Sequence, residues 1–408
     1  MMTINSLKIP LLLFLLCFGQ AIAAEQDTQY LLTEKTYKAL NVTQELIAAD
    51  NYQQAEKQLN DLLKRVADRP YEKAVVQQTL GYLFSSQEQY KKATEFFQSA
   101  LDSGALPAKV SHNLQYNLAQ LLLADEQYKE GLLMLEAWLK AEASPPTSAY
   151  VLLASAYYRV QNYKQVVQHI STAIDQDKSA NEGWYQLLLS AHLELKQYKA
   201  AITVLETLIT LYPYQKNYWN QLTALYLQQN KDFTALAVRM LSQRLELGDG
   251  KTLVSLADMY RYLHIPFKSA QLLNDALEKG TIAQDFDNLN RLADSWLAAK
   301  EAEKAAAVLQ QVAELDDSGE SDFKHGRVLI ALEQWQQAVQ PLSQSLQKLS
   351  GKEIGSASLL LGMAYFYTDD LAAAKEMFTK AVDYENERNQ AGQWLRHVTK
   401  QIGENDAA

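Results

Sequence analysis

The sequence predicts an all-α protein of about ten antiparallel helix pairs, closed by a terminal capping helix. Three observations carry that expectation. Only 15 Gly and 8 Pro occur in 408 residues, too few for the turns of a sandwich or barrel and suited to long helices. A large residue followed three positions later by a small one recurs along almost the whole chain at near-constant spacing. Around each occurrence, apolar residues follow at three- and four-residue intervals, the period of a helix with one buried face. A hydrophobic content of 48% with 21% charged residues supplies a sizeable core and excludes a disordered tail.

Taken in order, residues 1–24 read as an export leader. Lys8 gives a positive start, Pro10 to Phe18 form a short apolar run, and Gly19-Gln20-Ala21-Ile22-Ala23-Ala24 supplies the small residues that signal peptidase needs. The run is shorter than the roughly 20 residues of a comfortable membrane span, so cleavage after Ala23 or Ala24 is expected, with a retained inner-membrane tether as the alternative. Leu16 is too bulky for the residue before a lipidated Cys17. Without the leader the chain has no cysteine, which removes disulfides, thiolate metal sites and a cysteine nucleophile. No other apolar run reaches membrane length, so a soluble mature protein in the bacterial periplasm is expected.

The repeat then begins. Its anchors are Tyr52, Tyr90, Tyr128, Tyr163, Tyr198, Phe233, Phe267, Ala302, Trp335 and Leu371, separated by 38, 38, 35, 35, 35, 34, 35, 33 and 36 residues. Nine residues before an anchor stand Gly81, Ala119, Ala154, Ala224, Ala293, Gly326 and Gly362; Thr43, Leu189 and Asp258 depart from this. About 34 residues make two amphipathic helices of three to four turns with short connections. The small residues let the two helices approach, and the aromatic and branched ones fill the space to the next unit. No unit buries its apolar face alone, so stability comes from stacking.

This pattern resembles the tetratricopeptide repeat (TPR) family. Leu80-Gly81, Phe84, Tyr90, Ala93, Phe97 and Ala100 carry the likeness, as do Ala119, Tyr128, Leu135 and Trp138, and Leu361-Gly362, Tyr365, Ala374, Phe378 and Ala381. It covers about residues 36–385. The fold the resemblance implies is a TPR α-solenoid, a right-handed superhelix of about ten helix pairs.

Connections and ends follow from composition. Ser103-Gly104-Ala105-Leu106-Pro107 and Ala143-Ser144-Pro145-Pro146 explain the two longest spacings, and Asp316-Asp317-Ser318-Gly319-Glu320 is a further exposed turn. Gly248-Asp249-Gly250 and Pro266 interrupt the least regular units and suggest a bend or break. The expected division is therefore an N-terminal stack at 25–247 and a C-terminal stack with its cap at 248–402. Trp394, Leu395, Val398 and Ile402 fit a terminal helix covering the last apolar face, and residues 403–408 are expected to fray.

Several function classes are disfavoured. A net charge of −10 with no basic cluster longer than pairs such as Lys91-Lys92 argues against nucleic acid and anionic membrane as partners. His112, His169, His192, His264, His325 and His397 lack metal-ligand spacing. Gly248-Asp249-Gly250-Lys251-Thr252 ends like a phosphate loop, but Leu245 stands where that motif needs its first glycine. With no nucleophile elbow either, no catalytic, metal or cofactor residue is assigned and no enzyme is expected. A site hidden between repeats is the reading that would reverse this.

The TPR resemblance implies instead a groove, lined by the first helix of each pair, that holds an extended peptide or a partner helix. Carried over by offset from the anchors, its positions are Tyr82, Tyr116, Gln120, Tyr158, Arg159, Gln186, Glu194, Gln221, Gln228, Tyr262 and Asn290. Tyr and Arg suit such a surface because they bury area while keeping a polar tip. A narrower likeness rests on Pro70 to Tyr82, Tyr116 to Leu121, Leu211-Tyr212-Pro213, Tyr218-Trp219, Leu256 to Tyr260 and Ile265 to Ala270. After a signal peptide, these resemble the periplasmic TPR proteins associated with TonB systems. What that resemblance implies is an accessory scaffold in iron-siderophore or haem uptake, with TonB, its inner-membrane motor subunits or an outer-membrane receptor as partner. The alternative is a scaffold for outer-membrane assembly, polysaccharide export or cell-wall machinery.

Overall fold

The structure is a computed structural model that describes residues 30–406; the predicted leader and the last two residues lie outside it. Twenty-one α-helices and no strand occur among the described residues. The first five pairs are α1 (Glu34–Ala48) with α2 (Tyr52–Arg65), α3 (Pro70–Ser86) with α4 (Tyr90–Asp102), α5 (Ala108–Ala124) with α6 (Tyr128–Ala141), α7 (Thr147–Arg159) with α8 (Tyr163–Gln176), and α9 (Glu182–Glu194) with α10 (Tyr198–Leu211). The next five are α11 (Lys216–Gln228) with α12 (Asp232–Arg244), α13 (Gly250–Tyr262) with α14 (Pro266–Glu278), α15 (Phe286–Ala298) with α16 (Ala302–Glu314), α17 (Glu320–Ala331) with α18 (Trp335–Lys348), and α19 (Glu353–Tyr367) with α20 (Leu371–Val382). The chain ends with α21 (Arg388–Asp406). Two compact units result, one reaching Val204 and the other starting at Leu205, so the division falls inside α10.

The expected all-α repeat architecture holds, and its anchors mark helix starts. Tyr52, Tyr90, Tyr128, Tyr163, Tyr198, Ala302, Trp335 and Leu371 are each the first residue of a second helix. Phe233 and Phe267 are not, because their helices begin one residue earlier, at Asp232 and Pro266. The small-residue register shifts with them. Thr223 and Ala257 are the buried residues at the close approach, whereas Ala224 is exposed and Asp258 half-exposed. Aromatic size misled the reading at these two hairpins: Phe233 is 67% exposed, so it is not the core residue its side chain suggests.

One turn joins every pair. Two residues before each second helix the backbone is left-handed, at Asp50, Glu88, Glu126, Gln161, Lys196, Asn230, His264, Lys300, Glu333 and Asp369, with φ between 55° and 62°. The next N–H donates to the carbonyl five residues back, as in Gln89 to Phe84 and Asp370 to Tyr365, both 2.9 Å. This is the hydrogen bond that terminates a helix through a left-handed residue and satisfies an otherwise orphaned carbonyl. None of the ten residues is glycine, although an L side chain pays a steric penalty there.

Beyond the turn, some of the paired helices touch where a side chain is missing. A Cβ on Gly81 would lie 2.2 Å from the Phe97 ring, and one on Gly362 would lie 2.7 Å from Phe378. Phe97 and Phe378 are among the largest fully buried side chains. In the first unit this contact belongs to a core that includes Leu59, Leu80, Leu83, Leu114 and Leu118. Its first helix is also tied down by polar contacts. The buried Glu72 carboxylate accepts from the Thr36 hydroxyl, from the Thr33 amide at 3.2 Å and from Arg69 at 3.3 Å. Burial opposes its charge, but these donors hold the carboxyl below the usual range.

In the second unit a core runs from Leu253 to Ala364 and takes no residue from α11 or α12. Correspondingly, α12 packs on α13 less extensively than any other consecutive pair described in that unit. At the far end α21 does cap the stack: Val398 and Ala391 are fully buried, and Trp394 stacks on Phe378 with ring centroids 5.6 Å apart. Successive hairpins are also joined by a repeated polar pair. Tyr157 of α7 donates its phenol to Glu136 of α6, and Tyr226 of α11 donates to Glu206 of α10 at 2.6 Å.

Two predictions arise. Lys300→Gly should raise stability by about 0.5–1 kcal/mol and Lys300→Val should lower it by about 1–2 kcal/mol, as read by thermal and denaturant unfolding. For Tyr226, burial and then the Glu206 hydrogen bond push the phenol up to about 12 from its ordinary 10.0. The folded state therefore holds this proton more tightly than the unfolded chain. Its contribution is complete below pH 10 and is lost as pH rises toward 12. The fall in melting temperature across that window should be smaller in Tyr226→Phe than in the parent.

Candidate functional site

All eleven residues read from the sequence as groove positions lie on the first helix of a hairpin, from α3 to α15. First helices of neighbouring hairpins touch directly, as α1 does with α3, α7 with α9 and α17 with α19. No second helix makes comparable contact with the next second helix among the pairs described. Within each unit these first helices therefore stand side by side, and the side chains they turn away from their partners share a face.

In the first unit that face is aromatic and largely committed to packing. Tyr82 lies edge-on to Phe97 at 4.9 Å and accepts a hydrogen bond from Asn117 Nδ2 at 2.8 Å, which links α3 to α5. Tyr116 is half-buried against Trp138, with ring centroids 4.4 Å apart, and His112 stacks on the same indole while contacting Glu142 at 3.0 Å. Gln120 is half-buried one turn beyond Tyr116. Tyr158 lies edge-on to Tyr163, while Arg159 and Glu194 are exposed at helix ends. Gln186 is exposed and donates to Glu182 at 3.2 Å.

In the second unit the face changes character. Gln221 is half-buried, Gln228 is exposed, and Tyr262 is 71% exposed, so its ring is almost wholly available. Asn290 is brought against Lys324 Nζ at 3.2 Å. Around these runs an ionic ladder that the sequence reading did not identify. Arg291 reaches Asp258 at 2.7 Å, Lys324 pairs with Asp294, and Arg261 sits between both carboxylates at 4.0 and 3.8 Å. A signal for it existed. Asp258, Asp294 and Arg327 each lie eight residues before a second helix, and Arg291 and Lys324 lie eleven before one; the misplaced anchor at Phe267 moved Asp258 out of that register.

The remaining motifs resolve into local structure. Gly248-Asp249-Gly250-Lys251-Thr252 is the start of α13, where Asp249 accepts from the Thr252 amide at 2.9 Å and from its hydroxyl at 2.7 Å. These bonds, with Lys216 at 3.0 Å, hold the Asp249 carboxyl well below the usual range. His169 stacks on Tyr157 and is buried, which depresses its basicity. His192 contacts Gln197 at 2.7 Å, His264 occupies a left-handed turn position, and His397 packs near Phe366. Among the described residues no group of three or more His, Cys, Asp or Glu could hold a metal ion, and no helix is long and apolar enough to cross a membrane.

Residues 356–388 match the tetratricopeptide repeat family model, and residues 124–208 match the model described as Anaphase-promoting complex, cyclosome, subunit 3. No match was found among curated proteins. Among solved structures, a tetratricopeptide repeat protein from Parabacteroides merdae is 13% identical, with 64% of this chain and 98% of that one covered, at a TM-score of 0.38. YrrB, a TPR protein described as having an unusual peptide-binding site, is 17% identical over 48% of this chain and 97% of its own, at 0.36. The Cut9–Hcn1 hetero-tetramer of the APC/C is 12% identical over 90% of each chain, at 0.29. Superpositions this loose assign no partner. Residues 356–388 thus carry a tetratricopeptide-type repeat, and the hairpins and turns described above repeat its two-helix arrangement among the described residues.

The two tyrosines at the extremes of exposure separate packing from availability. Tyr116→Ala should cost about 2 kcal/mol through loss of the Trp138 contact. Tyr262→Ala should change stability by less than about 0.5 kcal/mol. Denaturant midpoints of the two variants check both.

Proposed function

We propose that the chain is a non-enzymatic scaffold that binds protein partners along its first-helix face, acting in the periplasm as an accessory of a TonB-dependent iron-siderophore or haem uptake system. The observation that carries the scaffold reading is dispersal. Polar and aromatic side chains are spread along successive first helices, tyrosines and glutamines in the first unit and ionic pairs on α13, α15 and α17, without converging on one point as groups performing a reaction must. A surface of this kind offers many moderate contacts in a row, which suits an extended polypeptide or a helix more than a small metabolite. The leader-like residues 1–24 and the likeness to TonB-associated periplasmic TPR proteins support the finer assignment.

Crosslinking in living cells, followed by affinity capture of the tagged full-length chain, tests it. The expected result is recovery of TonB, a motor subunit or an outer-membrane receptor, together with slowed growth of a deletion strain on siderophore-bound iron. Recovery of assembly, export or cell-wall components with normal siderophore use would replace the TonB assignment by the broader envelope reading. Recovery of no protein partner would remove the scaffold reading itself.

A further inference from the structure

The first-helix face of α13, α15 and α17 is built differently from the rest of the molecule. Its central rows carry four cations, Arg261, Arg291, Lys324 and Arg327, against two carboxylates, Asp258 and Asp294. The whole chain, by contrast, has a net charge of −10. The outer row at the helix starts is mixed, with Lys251, Asp287 and Glu320, so the basic excess belongs to the middle of the face.

The pairing there is incomplete in a specific way. Arg291 gives Asp258 two hydrogen bonds from one guanidinium nitrogen, at 2.8 and 2.7 Å, leaving its other donors unused on that carboxylate. Arg261 lies at 4.0 and 3.8 Å from Asp258 and Asp294, too far for a hydrogen bond to either. It is thus drawn toward two carboxylates without a hydrogen bond to either, and its side chain is 37% exposed. The guanidinium of Arg327 sits 6.0 Å from the centre of the Phe323 ring, which fixes it without neutralising it.

Beside this lies an apolar seat. A shallow, open depression along one face of α13 is lined by Val254, Met259 and Tyr262 together with Lys251, Ser255 and Asp258. A thioether and a mostly exposed phenol ring make an adaptable surface for one bulky apolar side chain.

We propose that this face of the second unit binds an extended acidic peptide segment carrying one aromatic or large aliphatic residue. The apolar residue seats on Val254, Met259 and Tyr262, and the flanking carboxylates pair with Arg261, Arg291, Lys324 and Arg327. Charge complementarity selects this occupant, since a neutral or basic segment would leave the excess cations unpaired. The assignment rests on the first-helix face being the protein-binding surface.

Fluorescence anisotropy with the purified full-length chain tests it. The probes are a labelled 14-residue peptide of alternating Glu and Ser around a central Phe, and counterparts with Gln or Lys for Glu. The Glu peptide should bind at least about tenfold more tightly than the Gln peptide, as charge-assisted hydrogen bonds imply, and the preference should shrink with added salt. Arg261→Ala with Arg327→Ala should weaken the Glu peptide about tenfold and leave the Gln peptide unchanged, while Tyr262→Ala weakens both. Equal binding of the Glu and Gln peptides, tighter binding of the Lys peptide, or indifference to the arginine variant overturns the proposal. Unchanged helical circular dichroism in each variant excludes misfolding as the cause. If the crosslinked partner is captured equally by the arginine variant, the acidic-ligand proposal fails and the scaffold reading stands. If the parent chain captures nothing, the scaffold reading fails whatever the peptides do.

Discussion

Each hairpin depends on a single constraint: two helices must turn back on themselves tightly enough for one to rest closely against the other. The left-handed residue makes the reversal, and the bond from the next amide, as from Gln89 to Phe84, closes the outgoing helix. In most hairpins the pair then meets at a small residue, such as Gly81 against Phe97, with Leu189 of α9 an exception. Everything else is packing added to this clip. Since a lone hairpin leaves its other apolar faces open, the clip is useful only when neighbours cover them.

Repetition of one clip also explains why the exposed face can vary. The residues that fix each hairpin sit at its turn and at the close approach, not on the outer side of the first helix. Along that side the first unit places tyrosines that are half-committed to packing, and the second places an ionic ladder with a nearly free tyrosine. The same backbone thus carries two surface chemistries, and recognition is written on positions that stability does not claim.

Much of the fold was legible in the residues alone. The spacing of large and small side chains located eight of the ten second-helix starts to the residue, because close helix approach leaves almost no freedom at those places. It slipped by one at Phe233 and Phe267, where the exposed or half-exposed aromatic lies at the second position of its helix and the smaller Asp232 or Pro266 begins it. The left-handed turn residues gave little signal, since six of the ten are Glu, Gln or Lys, which carry no glycine-like signature. The binding face was legible as a set of helices, not as chemistry. Tyr82 and Tyr116 looked like available anchors, yet their contacts with Phe97, Asn117 and Trp138 depend on three-dimensional neighbours. The Asp258–Arg291 and Asp294–Lys324 pairs join residues about thirty apart, so they follow from the register between hairpins and not from the periodicity within one helix.

The thin packing between α12 and α13 has a consequence for how the second unit melts. In a linear array, cooperativity passes from one neighbour to the next through their shared apolar area. Where the core that begins at Leu253 takes no residue from α12, that transmission weakens. The segment from α13 onward can then behave as its own block, retaining slow amide exchange while the hairpin before it opens and recloses.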